Sequence, residues 1–220
     1  MIATVDSISE FFLNPAVNPQ IMTLTAGSTL FSESDDAAHL YLVKSGQVRM
    51  FQKASDGSLR LLEIIGTGQW TGCSSLFHRP TYGYGAHAAS NVEVIRVNTA
   101  LFNEQLIQHP QMAMTIIRQL SKRLFNAWDD AGALVFDDCR SRLIKALIRF
   151  SESPAAARSG EEVLLRMTHE QLAQAIGVAR ETVSLTITDL RKENLVRTGR
   201  TQLTFNPNLL QGSLTKQLVA

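Results

Sequence analysis

The segment Thr168–Leu195, THEQLAQAIGVARETVSLTITDLRKENL, constrains this chain more than any other. Thr168 and Gln171 form a T-x-x-Q capping pair, in which side chain and backbone at a helix start satisfy each other. Leu172, Ala173 and Ile176 supply one apolar helical face. Gly177 comes next, where the turn calls for a positive φ. A second helix opens at Arg180, with Val183, Ile187 and Leu190 at i, i+4 and i+7 to hold it on a core. Two short helices around a glycine can be an ordinary helical hairpin with a charged surface. They can also be a helix-turn-helix, whose second helix puts its first residues against base edges in the DNA major groove. There Arg180 can pair with guanine through two bonds, and Glu181 can accept from cytosine.

The residues after the second helix favour the helix-turn-helix. Leu195-Val196 and Gln202–Phe205 read as short strands around Arg197-Thr198-Gly199-Arg200. That is a hairpin with two arginines near its tip, the form of a wing lying against a phosphate backbone. The candidate DNA contacts are therefore Thr168, Arg180, Glu181, Thr182, Ser184, Leu185, Arg197 and Arg200.

The N-terminal part has a different rhythm. Leu40–Val43, Gln47–Phe51, Leu61–Ile65 and Val92–Val97 are β-rich runs, separated by Gly, Asp and Ser clusters such as Ser45-Gly46 and Ser55–Ser58. Short, evenly spaced strands predict a roll or barrel. Short helices are expected at residues 6–14 and 100–108. A long helix then runs from Pro110 to about Val135. Its Ala113, Ile117, Leu120, Leu124, Ala127, Ala131 and Leu134 are spaced alternately by four and three, an a/d seam over about three heptads. Such a seam either packs on its own domain or pairs with a second copy. Asp138 suits the N-cap of a helix from Cys139 to Phe150. Ser151–Gly160, with Pro154 and three alanines, reads as a loop.

R-E-T-V-S, reached through T-x-x-x-L-A-x-x-I-G, closely resembles the recognition-helix signature of the Crp/Fnr family of bacterial transcription regulators. The resemblance spans roughly residues 20–205. Leu30–Val97 is similar to the family's effector β-roll, with Gly46, Gly57, Gly66, Gly68 and Gly72 at its turns, and Phe136-Asp137-Asp138 is similar to its hinge. The resemblance implies an α+β chain in three parts. These are a cyclic-nucleotide-binding-like β-roll over residues 1–109, a dimerisation helix and hinge over 110–137, and a winged helix-turn-helix over 138–220. It further implies a cytoplasmic homodimer on a palindromic double-stranded DNA operator, with its two recognition helices about 34 Å apart. RNA polymerase is the additional partner implied for an activator.

Two departures stand out. Leu185 occupies a position where the family usually has a guanine-reading Arg; it can touch only a thymine methyl or an aliphatic surface. Ser184 matches the Fnr-like version of the motif, and Ala179 lacks the hydroxyl that usually caps this helix. The second departure lies in the β-roll. In cyclic-AMP-binding members a Glu binds the ribose and an Arg-Ser pair binds the phosphate. Here Cys73 stands in the Glu position and Gly83-Tyr84 in the Arg-Ser position, while Ala127 and Trp128 replace the hydroxylic residues that meet the base. No cation is expected to face a phosphate there, and cyclic AMP is not expected to bind. His78 and Arg79 lie nearby in sequence.

Trp70, Cys73, Tyr82, Tyr84, Leu124 and Trp128 are the candidate effector-pocket residues. Three readings stand side by side: a pocket for an apolar or aromatic small molecule, a pocket filled by its own rings, and haem with Cys73, His78 or His87 as axial ligand. The Cys-x-His spacing of the family's haem-binding branch is absent, and no cofactor is assigned.

Charge supports a division of labour. Residues 139–220 hold 12 Lys and Arg against 7 Asp and Glu, while residues 1–138 hold 9 against 13. The basic part is the one with the DNA-reading motif. Two cysteines are too few for a four-thiolate iron–sulfur cluster. Five scattered histidines, with no H-E-x-x-H, P-loop or nucleophile elbow, give neither a metal site nor a catalytic constellation. No secretory signal or membrane span is evident. The contrasting reading is a haem- or small-molecule-binding sensor module whose helix and wing dock a protein; such docking would show little salt dependence.

Overall fold

The computed structural model describes residues 5–73, 76 and 80–217. The chain forms two compact units, one comprising residues up to Gly57 with Leu62–Ala127, the other Ser58–Leu61 with Trp128 onward.

The first unit begins with α1 (Val5–Phe12) and a 3-10 turn at Pro15–Val17. Its strands are β1 (Gln20–Leu24), β2 (Thr29–Phe31), β3 (His39–Ser45), β4 (Gln47–Lys53), β5 (Leu59–Gly66), β6 (Trp70–Thr71), β7 (Gly85–Ala88) and β8 (Val92–Asn98). Helix α2 (Thr99–Gln108) and the long α3 (Pro110–Phe136) come next. The strands make two four-stranded sheets, ordered β1-β8-β3-β6 and β2-β7-β4-β5.

Strand β3 shows why its sequence reads as an unbroken apolar run. Successive side chains point to opposite faces, and here both faces are covered. Leu40 and Leu42 join Ile95 and Val97 of β8 in a core with Phe11, Phe12, Trp70, Phe102 and Ile116. Tyr41 and Val43 point the other way, into a second core with Val94, Phe31, Met50, Tyr82 and Tyr84. Truncating Leu40, which is fully buried, to Ala would cost about 2–5 kcal/mol. Gly72 comes after β6 at φ +95°, and a Cβ there would stand 2.8 Å from the His39 carbonyl oxygen, so only glycine fits.

The α3 seam divides. Ala113 and Leu120 are partly buried against the first unit's own core. Ile117, Leu124 and Leu134 are exposed large hydrophobics, as are Met114, Trp128 and Val135.

The second unit contains α4 (Cys139–Phe150), β9 (Ala156–Ser159), β10 (Glu162–Leu165), α5 (His169–Ile176), α6 (Arg180–Lys192), β11 (Val196–Gly199), β12 (Gln202–Phe205) and α7 (Pro207–Gln217). Asp138 caps α4, its Oδ1 accepting from the Ser141 N–H at 2.7 Å. The expectation of a loop over Ser151–Gly160 is corrected. Ala156–Ser159 pairs antiparallel with Glu162–Leu165, and the four strands run β11-β12-β10-β9. Alanine and proline pointed to a loop, but backbone pairing with an apolar neighbour strand outweighs their weak β-propensity.

Candidate nucleic-acid interface and β-roll interior

The helix pair is built as its sequence suggests. Thr168 accepts from the Gln171 N–H at 3.1 Å, and Gln171 accepts from the Thr168 N–H at 2.9 Å, which closes the capping box. Gly177 ends α5 at φ +68°. Val183, Ile187 and Leu190 of α6 are buried, which turns Arg180, Glu181 and Leu185 outward. Neither Arg180 nor Glu181 has an ion-pair partner among the described residues. Leu185 is 70% exposed, an apolar side chain held out on a polar face. Ala179 sits at the N-cap with no side-chain hydrogen bond.

Other candidate contacts are engaged already. Ser184 donates to the Arg180 carbonyl at 3.0 Å and lies 2.8 Å from His169 Nδ1. Thr168 is committed to its cap, and the Thr182 carbonyl accepts from Thr186. In the wing, Arg197 Nη2 donates to both Glu162 oxygens at 2.6 and 2.7 Å. Arg200 stands exposed at the turn, next to Thr201 at φ +57°. One clamp has no signal in the sequence. Arg140, one residue into α4, makes a two-bond fork to Glu193 at the end of α6, at 2.8 and 2.7 Å.

The six candidate pocket residues divide between two cores and the surface of α3. Trp70 and Cys73 belong to the core beneath the helices, and Tyr82 and Tyr84 to the core between the sheets. Leu124 and Trp128 are 50% and 64% exposed on α3. His78 and Arg79 lie outside the described residues. His87 packs against the Phe51 ring at 4.3 Å.

Where the two cores meet, at Thr71–Cys73, polar groups are consumed internally. The Tyr84 hydroxyl lies 2.8 Å from Thr71 Oγ1 and accepts from the Gly72 N–H at 2.9 Å. Tyr82 donates to the His39 carbonyl at 2.8 Å and stacks on Phe31 at 3.9 Å. Burial pushes the Tyr82 phenol well above its ordinary range.

Arg123 brings to this region a cation that the sequence reading did not place. From α3 it donates through Nη1 to Cys73 Sγ at 2.9 Å, through Nη2 to the Trp70 carbonyl at 3.2 Å and through Nε to Glu63 at 3.0 Å. Sequence reasoning missed it because fifty residues separate Arg123 from Cys73. Its place in the heptad, beside the seam residue Leu124, was the available signal. Burial raises the Cys73 thiol, opposed by the Arg123 charge.

The comparisons with known proteins cover most of the chain. Residues 21–109 match the cyclic nucleotide-binding domain, and residues 141–211 match the Crp-like helix-turn-helix domain. The cyclic AMP receptor protein of Thermus thermophilus is 32% identical over 79% of this chain and 77% of its own length. The chain belongs to the Crp/Fnr family of bacterial transcription regulators. A further relative is the CRP-like cAMP-activated global transcriptional regulator of Mycobacterium tuberculosis, 27% identical over 78% of this chain and 77% of its own. The c-di-GMP responsive regulator CLP of Xanthomonas campestris has the same fold, with TM-score 0.76 over 92% of this chain and 99% of its own, at 23% identity. Within the Crp/Fnr family this chain keeps the cyclic nucleotide-binding domain over residues 21–109. No helix among the described residues is long and apolar enough to cross a membrane.

Proposed function

We propose that this chain binds a palindromic DNA operator as a homodimer, through α6 and the wing, and does so without cyclic AMP. The observation that carries DNA binding is the pair Arg180 and Glu181. Both are exposed and free of ion pairs among the described residues, on the first turn of a helix whose opposite face is buried. A guanidinium and a carboxylate left open in this place match guanine and cytosine edges. Leu185 favours a thymine at its own step rather than guanine.

Pairing of protomers is supported by the exposed face of α3. Met114, Ile117, Leu124, Trp128 and Val135 are all exposed, and with Ser121 and Ala131 they repeat at alternate spacings of three and four. This stripe is offset from the seam read from sequence, because Ala113 and Leu120 turn toward the first unit's own core. A two-fold pair supplies the two recognition helices that adjacent major grooves require.

Independence of cyclic AMP is supported by the filled interior. Tyr84 stands in the position of the family's phosphate-binding Ser, and its hydroxyl already accepts the Gly72 N–H. Arg123 is already neutralised by Glu63. A phosphate entering there would have to break both sets of bonds. These contacts favour the reading in which the rings fill their own pocket over the small-molecule and haem readings.

Selection of operators from random duplex DNA with the purified protein, with and without cyclic AMP, tests this reading. A palindrome recovered under both conditions, from protein without a Soret band, is the expected result. Selection only with cyclic AMP would overturn the filled-pocket reading, and a Soret band would point to haem. Failure to select anything, with a salt-insensitive protein partner instead, would establish the docking alternative.

A further inference from the structure

His169 is the first residue of α5 and touches the recognition helix directly. Its half-buried ring places Nδ1 2.8 Å from Ser184 Oγ. The Ser184 hydroxyl donates to the Arg180 carbonyl at 3.0 Å. It is therefore left to accept from His169, which fixes the proton of a neutral ring on Nδ1. Nε2 has no hydrogen-bond partner among the described residues. The serine suited by residue type to read a base is thus spent on positioning, and the ring behind it presents an open nitrogen.

The surrounding charges are few. From α6, the charge of Arg180 acts on the ring. On the ring's own helix, Glu170 accepts from Gln174 one turn on. From α4, Arg142 is held on the Ile176 carbonyl at the far end of α5. Arg140 and Lys145 of the same helix are held by Glu193 and Asp137. Burial first, then the Arg180 charge, lowers the His169 pKa below its ordinary value, so the free protein carries a neutral ring at pH 7.

In a helix-turn-helix the first helix crosses the DNA backbone while the second enters the groove. A ring at the start of α5, bonded to the first turns of α6, is carried to that backbone. We propose that His169 couples operator binding to proton uptake: Nδ1–H keeps Ser184 in place while Nε2 takes a proton from solvent and donates it in a hydrogen bond to a backbone phosphate. The proposal rests on the DNA-binding reading above. One proton enters per protomer, and none is transferred to DNA.

Linkage sets the sign. Phosphate favours the charged ring, so its pKa is higher in the complex than in the free protein. Affinity is greatest below the free-protein pKa and falls as pH rises through the pKa of the complex. For a one-unit difference the gain approaches tenfold per protomer. Protonation also adds one phosphate neutralisation per protomer, which steepens the slope of log K against log salt by about 0.9.

The test uses an operator duplex selected by the wild-type full chain at pH 6.0, with affinity and salt slope measured from pH 5.5 to 8. His169→Gln retains a side-chain donor for Ser184 but cannot titrate. The expected result is a wild-type affinity that rises as pH falls and a His169→Gln protein that binds the same duplex with a much flatter pH profile. Identical pH profiles and salt slopes for the two proteins would overturn the proposal and leave the DNA-binding reading intact. A wild-type protein that selects no duplex would remove both.

Discussion

The start of the recognition helix and the interior of the β-roll differ in how they treat their polar groups. On α6, Arg180 and Glu181 point into solvent without ion-pair partners among the described residues. Around Thr71–Cys73, Tyr84 and Arg123 are bonded to the protein itself. A surface that awaits a partner leaves donors and acceptors open at little cost in water. In a buried site each unmet group costs about 1–3 kcal/mol. The contrast puts the open polar chemistry of this chain on α6, whereas the Tyr84 hydroxyl and the Arg123 guanidinium are already engaged.

The sharpest way to break the comparison is at α6. Arg180→Ala should abolish preference for the operator's guanine step, with a loss of about 1–3 kcal/mol per half-site against random duplex. Sites selected by the mutant that match the wild-type consensus would show that the open face is not the reader. The apolar stripe comes next. Trp128→Glu, at a position already 64% exposed, should leave the fold intact and shift the protein to monomers in sedimentation, with operator affinity lost alongside. A dimer that persists would place the interface elsewhere.

Tyr84→Phe probes the closed region. Removing the hydroxyl deletes its bonds to the Gly72 N–H and to Thr71 inside the protein, so urea unfolding should report a loss of about 1–3 kcal/mol. An unchanged midpoint would mean that the bonds at Thr71–Gly72 do not hold the interior. The smallest effect is expected in the wing. Glu162→Gln frees Arg197 from an exposed ion pair of the kind that contributes little to stability. Binding to random duplex should tighten a few-fold, with a steeper salt slope. A salt slope unchanged by the mutation would separate Arg197 from the phosphate contacts.

Much of the molecule is legible in the sequence where the signal is local. The Thr168–Gln171 box, the Gly177 turn and the buried stripe Val183, Ile187 and Leu190 lie within a few turns of one another, and capping and periodicity suffice to read them. The β-rich runs are equally plain, since β3 is covered on both faces and contains no charged residue over Leu40–Val43. What escapes depends on distant chain segments. Strand β9 exists because β10 pairs with it, and its own composition says loop. Arg123 meets Cys73 only through folding, and Trp70 and Tyr84 lie near in sequence yet in different cores. On α3 the three-four spacing of apolar residues is plain, but that Ala113 and Leu120 turn inward is not, because a helix with two apolar faces does not announce which one its own domain takes.

The hydroxyl of Tyr84 has a consequence at the scale of the cell. With the filled cassette proposed for this chain, the regulator does not wait for cyclic AMP, and under that reading each molecule is competent once folded and paired. Its input is then copy number. Where pairing is weak, the dimer population grows as the square of the protomer concentration. Such a protein converts its own rate of synthesis and degradation into operator occupancy, and acts as a gauge of abundance rather than as a receiver.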